Sequence, residues 1–180
     1  RKHGSIGKPL LFTQARLLDE AGREAPTGEV GELCLRGEHV CQGYWNQPEA
    51  TAAALDPEGF FHTGDLARRD DEGFFYIAGR RKDMLISGGV NVYPAEIEGE
   101  LLQHPDLRDA AVVGVPDPKW GETVKAIVVL EPGAAITAEE IIAAVRARKG
   151  AVQAPKSVEF IAAIPVTAIG KPDKKALRLT

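Results

Sequence analysis

Apolar and polar positions change rhythm near residue 80 of this chain. Up to that point short apolar runs alternate with glycine turns, the signature of antiparallel strands. LLFTQARLLDE, from Leu10 to Glu20, reaches a turn at Ala21 and Gly22, and VGELCLRG, from Val30 to Gly37, offers the returning strand. Pro48 opens a short alanine-rich helix, PEATAAAL, with Glu49 at the positive end of its dipole. EGFFHTGDL and EGFFYIAGR are each a glycine turn leading into a strand, and predict two successive hairpins with Phe60, Phe61, Phe74 and Phe75 buried.

Beyond residue 80 the runs lengthen. A proline-initiated helix is predicted from Pro94 to Gln103, with Glu96 and Glu98 near its start and Ile97 and Leu101 one turn apart. AAVVGV (Ala110 to Val115) and VKAIVVL (Val124 to Leu130) predict strands, joined by a Pro116-to-Glu122 loop that carries Trp120. Thr137 and Glu140 form a capping box before Ile141, Ile142 and Val145, and that helix ends on Arg146, Arg148, Lys149 and Gly150. SVEFI (Ser157 to Ile161) supplies a third strand, and Lys174 to Leu179 a last helical turn. The fold expected is α+β: a small β-rich, barrel-like subdomain over residues 1–79, then a compact αββαβ lobe with a mixed sheet over residues 84–180. Residues 80–83 form the junction.

Composition narrows the function. With 180 residues and 44% hydrophobic content, the chain can bury one good core or two small ones. A net charge of −4 argues against nucleic acid as a partner, which calls for a basic face. Residues 1–79 hold 8 basic against 13 acidic side chains and residues 80–180 hold 14 against 13, so the second part is the better suited to phosphates. Cys34 and Cys41 are expected to be buried small side chains, not a disulfide scaffold, which places the chain in a reducing cytoplasm. No apolar run approaches the roughly 18 residues of a membrane span, and no signal peptide is visible. The opening RKHGSIGKP, without methionine, reads as the middle of a longer protein.

The segment GRRKDMLISGGVNVYPAEIE, from Gly79 to Glu98, places charge, then permissive glycines, then a rigid helix start in succession. Alone it reads as a charged turn followed by a glycine hairpin. Asp65, in HTGD, can bond its own turn or accept from two vicinal hydroxyls. Arg80 offers a planar fork of donors to ribose or phosphate oxygens, while Arg81 reads as a solvated turn charge. Gly88 and Gly89 let backbone approach a ligand without a Cβ in the way. GKPDKKALR, from Gly170 to Arg178, is by itself a basic C-terminal stretch.

In this order, HTGD, GRRKD…SGG…AEIE and GKPDKKALR resemble the ANL adenylating superfamily, specifically its acyl-CoA synthetases. The resemblance covers essentially all of this chain but only the C-terminal part of such an enzyme. It implies that Asp65 and Arg80 hold the nucleotide, with Asn91 where some members contact it. It implies that Lys82 is the hinge on which the following lobe rotates between adenylate-forming and thioester-forming orientations. It also implies that Gly88 and Gly89 border the pantetheine channel of CoA, and that Lys171 is catalytic, meeting the acyl carboxylate and the α-phosphate. Two departures stand out. Ile86 takes a position where many relatives carry lysine, and Pro172, Asp173 and Lys175 differ from the commoner glycine-lysine pattern.

The resemblance thus implies an AMP-forming acid–thiol ligase using a carboxylic acid, ATP and CoA. Its phosphate loop, acyl pocket and Mg²⁺-binding acid would lie in a missing N-terminal part, so no metal ligands are expected in this chain and adenylation is not expected of it alone. Rival readings are a peptide-synthetase adenylation domain, a luciferase-like adenylating enzyme and a non-catalytic α+β binding module.

Overall fold

The computed structural model describes residues 2–178. Of the predicted helical turn, Lys174 to Leu179, the last residue, Leu179, lies outside the described residues. The chain divides into two compact units, residues 1–82 and 83–180.

In the first unit four strands form an antiparallel meander: β1 (Gln14–Leu18), β2 (Val30–Arg36), β3 (Phe61–Arg69) and β4 (Phe75–Arg80), paired in that order. The sheet is open, with β1 and β4 at its edges, so the barrel expected here does not close among the described residues. The edge strand β4 is partly covered, because Ile6 N–H donates to Phe75 O and Phe75 N–H to Gly7 O. One face carries the apolar cluster of Leu17, Ala25, Leu33, Ala67 and Phe75.

The first predicted strand is shorter than its apolar run. Leu10, Leu11 and Phe12 precede β1 and are 75%, 83% and 84% exposed, since the run lacks the alternation that would give it a buried face. Helix α1 (Pro48–Ala54) starts on its proline as predicted and buries nothing. The EGFF echo is a duplicated turn. Asp56 Oδ1 accepts the Phe60 N–H as Asp70 Oδ1 accepts the Phe74 N–H. Gly59 and Gly73 in turn donate to the Asp56 and Asp70 carbonyls. Phe60 and Phe75 are buried at 1% and 4%, whereas Phe61 and Phe74 are only partly so. Phe74 is instead faced by the ammonium groups of Lys2 and Lys8 at 5.3 and 4.6 Å. Cys34 is buried, but Cys41 lies outside any strand and is exposed, contrary to expectation.

The second unit holds β5 (Leu85–Ser87), β6 (Val90–Val92), α2 (Pro94–Leu101), β7 (Leu107–Asp117), β8 (Gly121–Leu130), α3 (Ala138–Lys149), β9 (Ser157–Phe160) and α4 (Lys174–Leu177). β7 and β8 pair antiparallel and β9 pairs parallel to β8, so the sheet is mixed. Both faces of β7 and β8 are covered, which explains their nearly continuous apolar runs. Val112, Val124, Ala126 and Val128 join Ile97 and Leu101 of α2 and Ile141 and Val145 of α3. Val113, Ile127 and Val129 face the other way, toward Ile164 and Leu177 of α4. The Thr137–Glu140 capping box forms as predicted.

The loop expected between β7 and β8 is almost absent. The strands run to Asp117 and from Gly121, and Asp117 Oδ1 accepts both the Lys119 and Trp120 N–H groups. An aspartate that satisfies two turn amides lets the hairpin close over three residues. No helix of the described residues is long and apolar enough to cross a membrane.

Candidate functional site

HTGD occupies an irregular stretch of β3. Glu32 pairs with Leu66 and Cys34 with His62, so Thr63, Gly64 and Asp65 stand opposite Leu33 alone. Such a bulge redirects a side chain out of the sheet's alternation. Each residue contributes to it. The Thr63 hydroxyl donates to Leu33 O at 2.7 Å and accepts the Asp65 N–H at 3.0 Å. Gly64 has φ +70, a conformation that a Cβ would strain. Asp65 is thereby presented opposite Arg80 of β4, its register partner, with Oδ1 2.6 Å from the Arg80 Nε. The pair is accessible, with side chains 30% and 49% exposed.

Beneath this pair lies a carboxylate that sequence reasoning passed over. The Glu32 side chain is 10% exposed, it accepts from the Gly64 N–H at 3.2 Å and Arg81 at 2.9 Å, and its Oε2 lies 3.1 Å from His62 Nδ1. Arg81 is therefore not a solvated turn charge, although more than half its side chain is exposed. The signal for Glu32 was a lone acid within the apolar run of VGELCLRG.

Glu32, Cys34 and His62 place ligand atoms within 4.8 Å of one another, a spacing that could hold a metal ion. They already contact one another, with Cys34 Sγ 3.5 Å and Glu32 Oε2 3.1 Å from His62 Nδ1. Burial, and then the neighbouring Glu32 and Asp56 charges, push the Cys34 thiol up to about 12. Glu32 is already neutralised by Arg81.

Lys82 sits in a 3-10 turn, Arg81–Asp83, at the division between the two units, and is exposed. Gly88 and Gly89 are the two-residue turn of the β5–β6 hairpin, with φ +58 and +80, as a mirror-image turn demands. Gly88 lies against an aromatic wall. A Cβ there would meet Trp120 Cε3 at 2.6 Å, and the Gly88 N–H donates to Trp120 O at 3.0 Å. Asn91 is half-buried on β6 opposite the exposed Ile86 of β5. Lys171 is exposed at the foot of a separate hairpin, where its carbonyl accepts the Thr167 N–H at 2.7 Å. The structure thus joins Asp65 to Arg80 in one unit, and sets Gly88–Gly89 beside Trp120 in the other.

Comparison with known proteins bears on the lineage. The family model of the AMP-binding enzyme C-terminal domain matches residues 96–171, and that of the AMP-binding enzyme matches residues 1–45. Both matched models describe parts of one kind of protein, the AMP-binding enzymes, and the chain is similar to them along both stretches. It is 49% identical to the medium/long-chain-fatty-acid–CoA ligase FadD8 of Mycobacterium tuberculosis, over 97% of this chain and 32% of that one. Among solved structures, the amide bond synthetase McbA from Marinactinospora thermotolerans superposes with a TM-score of 0.92 at 41% identity, over 98% of this chain and 36% of the other. The o-succinylbenzoate CoA synthetase of Bacillus subtilis, in complex with an acyl-adenylate, gives 0.91 at 35% identity, over 98% and 36%. The chain spans about a third of the length of these relatives.

Proposed function

We propose that this chain is the C-terminal third of an AMP-forming acyl-CoA synthetase. The carboxylate oxygen of an acid attacks the α-phosphorus of ATP, giving acyl-AMP and releasing pyrophosphate. The CoA sulfur then attacks the acyl carbon, giving the thioester and releasing AMP. The juxtaposition of Asp65 and Arg80 at 2.6 Å carries the reading, in a chain whose relatives include CoA ligases. An aspartate steadied by a guanidinium accepts two vicinal ribose hydroxyls, and the remaining guanidinium donors serve ribose or phosphate oxygens. Asn91 contributes a further nucleotide contact.

Lys171 supplies an ammonium where charge concentrates on the pentacoordinate phosphorus, the kind of preorganised stabilisation that lowers such barriers most. Gly88 and Gly89, beside Trp120, border the path of the pantetheine thiol. Lys82 is the hinge between the two half-reactions. Mg²⁺ and the acyl group are held by residues outside this chain, and the enzyme works in the cytoplasm.

The test separates the half-reactions in the full-length enzyme. Lys171→Ala lowers ATP–pyrophosphate exchange by on the order of 10²–10³, the cost of removing one oxyanion-type donor. Transfer from a presynthesised acyl-adenylate to CoA stays near the unsubstituted rate. Equal loss in both would overturn the role of Lys171. The likeness to an amide bond synthetase supports a second reading, an amine acceptor, which product analysis with CoA and amines in competition distinguishes.

A further inference from the structure

We infer that Glu32 is a positioning residue for the nucleotide site, holding Asp65 and Arg80 in register by gripping the chain neighbour of each. The inference rests on the nucleotide role proposed for those two residues. A carboxylate as buried as Glu32 requires compensation by donors, and an apolar side chain would satisfy the strand without it. Its donors are distributed in a telling way. Oε1 accepts the N–H of Gly64, which precedes Asp65, and Oε2 accepts from Arg81, which follows Arg80. His62 Nδ1 lies 3.1 Å from Oε2, in reach to donate in the tautomer that carries its hydrogen there.

One side chain on β2 therefore fixes the bulge that presents Asp65 and the strand end that presents Arg80. These belong to two different sequence blocks, and no backbone pairing of β2 with β4 joins them. The Asp65–Arg80 pair is open to solvent, with side chains 30% and 49% exposed, and solvent-accessible ion pairs are weak. The orientation is supplied from beneath, as preorganised sites generally require.

The experiment measures KM for ATP, acid and acyl-adenylate and both half-reaction rates in the full-length enzyme for Glu32→Ala, Glu32→Gln, Arg81→Met, the Glu32→Ala/Arg81→Met pair and Asp65→Ala. Loss of hydrogen bonds to a charged group predicts KM for ATP and for presynthesised acyl-adenylate, which carries the same ribose, raised about tenfold in Glu32→Ala, with acid KM and CoA transfer at saturating adenylate little changed. Glu32→Gln, which keeps an acceptor for Gly64, lies between, and the double variant is no worse than Glu32→Ala. If Glu32→Ala does not fold, Glu32→Gln and Arg81→Met carry the same comparison. Loss of both half-reactions in proportion to a lowered melting temperature would overturn the inference and leave Glu32 a general fold residue. So would a raised ATP KM in Asp65→Ala alone, with the nucleotide role intact. An unchanged ATP KM in Asp65→Ala would remove the nucleotide role and this inference together.

Discussion

Lys174 Nζ lies 2.7 Å from Glu98 Oε1, and that same oxygen accepts the Val112 N–H at 2.8 Å. The pair is about four-fifths buried on both sides, and it ties α4 to α2 and to β7. α4 begins three residues after Lys171, and Asp173 caps it through the Lys175 and Ala176 N–H groups. Glu98→Ala leaves Val112 without its acceptor and Lys174 without its counter-charge. Calorimetry should register a loss of about 1.5–3 kcal/mol, the range for hydrogen bonds to charged groups. Lys174→Met, which keeps the stem and removes the charge, should lose less. ATP–pyrophosphate exchange should fall in both, because the segment carrying Lys171 loses its tether.

Gly88 and Gly89 share a left-handed backbone but differ in their surroundings. A Cβ on Gly88 meets Trp120, whereas one on Gly89 meets nothing within 4 Å. Gly89→Ala should show the backbone penalty alone, about 1 kcal/mol in melting experiments. Gly88→Ala adds displacement of Trp120, visible as a change in fluorescence that Trp120→Phe removes. Thioester formation should fall further in Gly88→Ala than in Gly89→Ala, and an equal fall would show that Trp120 does not shape the thiol path.

Lys82 occupies a 3-10 turn, where φ is typically about −50 to −70° and proline, fixed near −65°, fits. Lys82→Pro should rigidify the junction, but it also biases Arg81, in the same turn, toward extended backbone, so melting temperature is measured beside both half-reactions. Pyrophosphate exchange is expected to survive while CoA transfer falls sharply. Parallel loss of both, at unchanged melting temperature, would remove the hinge role.

Asp70 predicts the acid limit of the first unit. A hydrogen bond from the Lys2 ammonium, then those from the Phe74 N–H and the Tyr76 hydroxyl, lower its carboxyl to about 2 from an ordinary 3.8. A depressed folded value means that the stabilisation is complete above the unfolded pKa and is lost as pH falls through the folded one. Melting temperature should thus decline between about pH 4 and pH 2 through this group. Asp70→Asn should melt lower at neutral pH and show a shallower decline across that window.

Local chemistry was legible wherever a few neighbouring residues determine the outcome. Thr137 and Glu140 satisfy each other's helix-end donors within one turn, so the pattern alone announces α3. The nearly continuous apolar runs AAVVGV and VKAIVVL announce β7 and β8, though not their extension to Asp117 and Gly121, which depends on an aspartate closing the turn. Gly88-Gly89 between LIS and VNV carried the hairpin signal, yet only the fold places Trp120, far along the chain, over Gly88.

Asp65 and Arg80 were legible as candidates from their motifs, but their pairing was not, because strand register is a property of the sheet. Glu32 stood out only as a lone acid in an apolar run, and its role was hidden for the same reason. Its partners lie 30 and more residues away, and only sheet pairing gathers His62, Gly64 and Arg81 around one carboxylate. The sequence by itself determined which segments are helix or strand and which side chains could do chemistry, since period and capping act over a few residues. Tertiary structure decided which of those side chains are buried, paired or free to meet a ligand, since long-range pairing decides where desolvation falls and who compensates it.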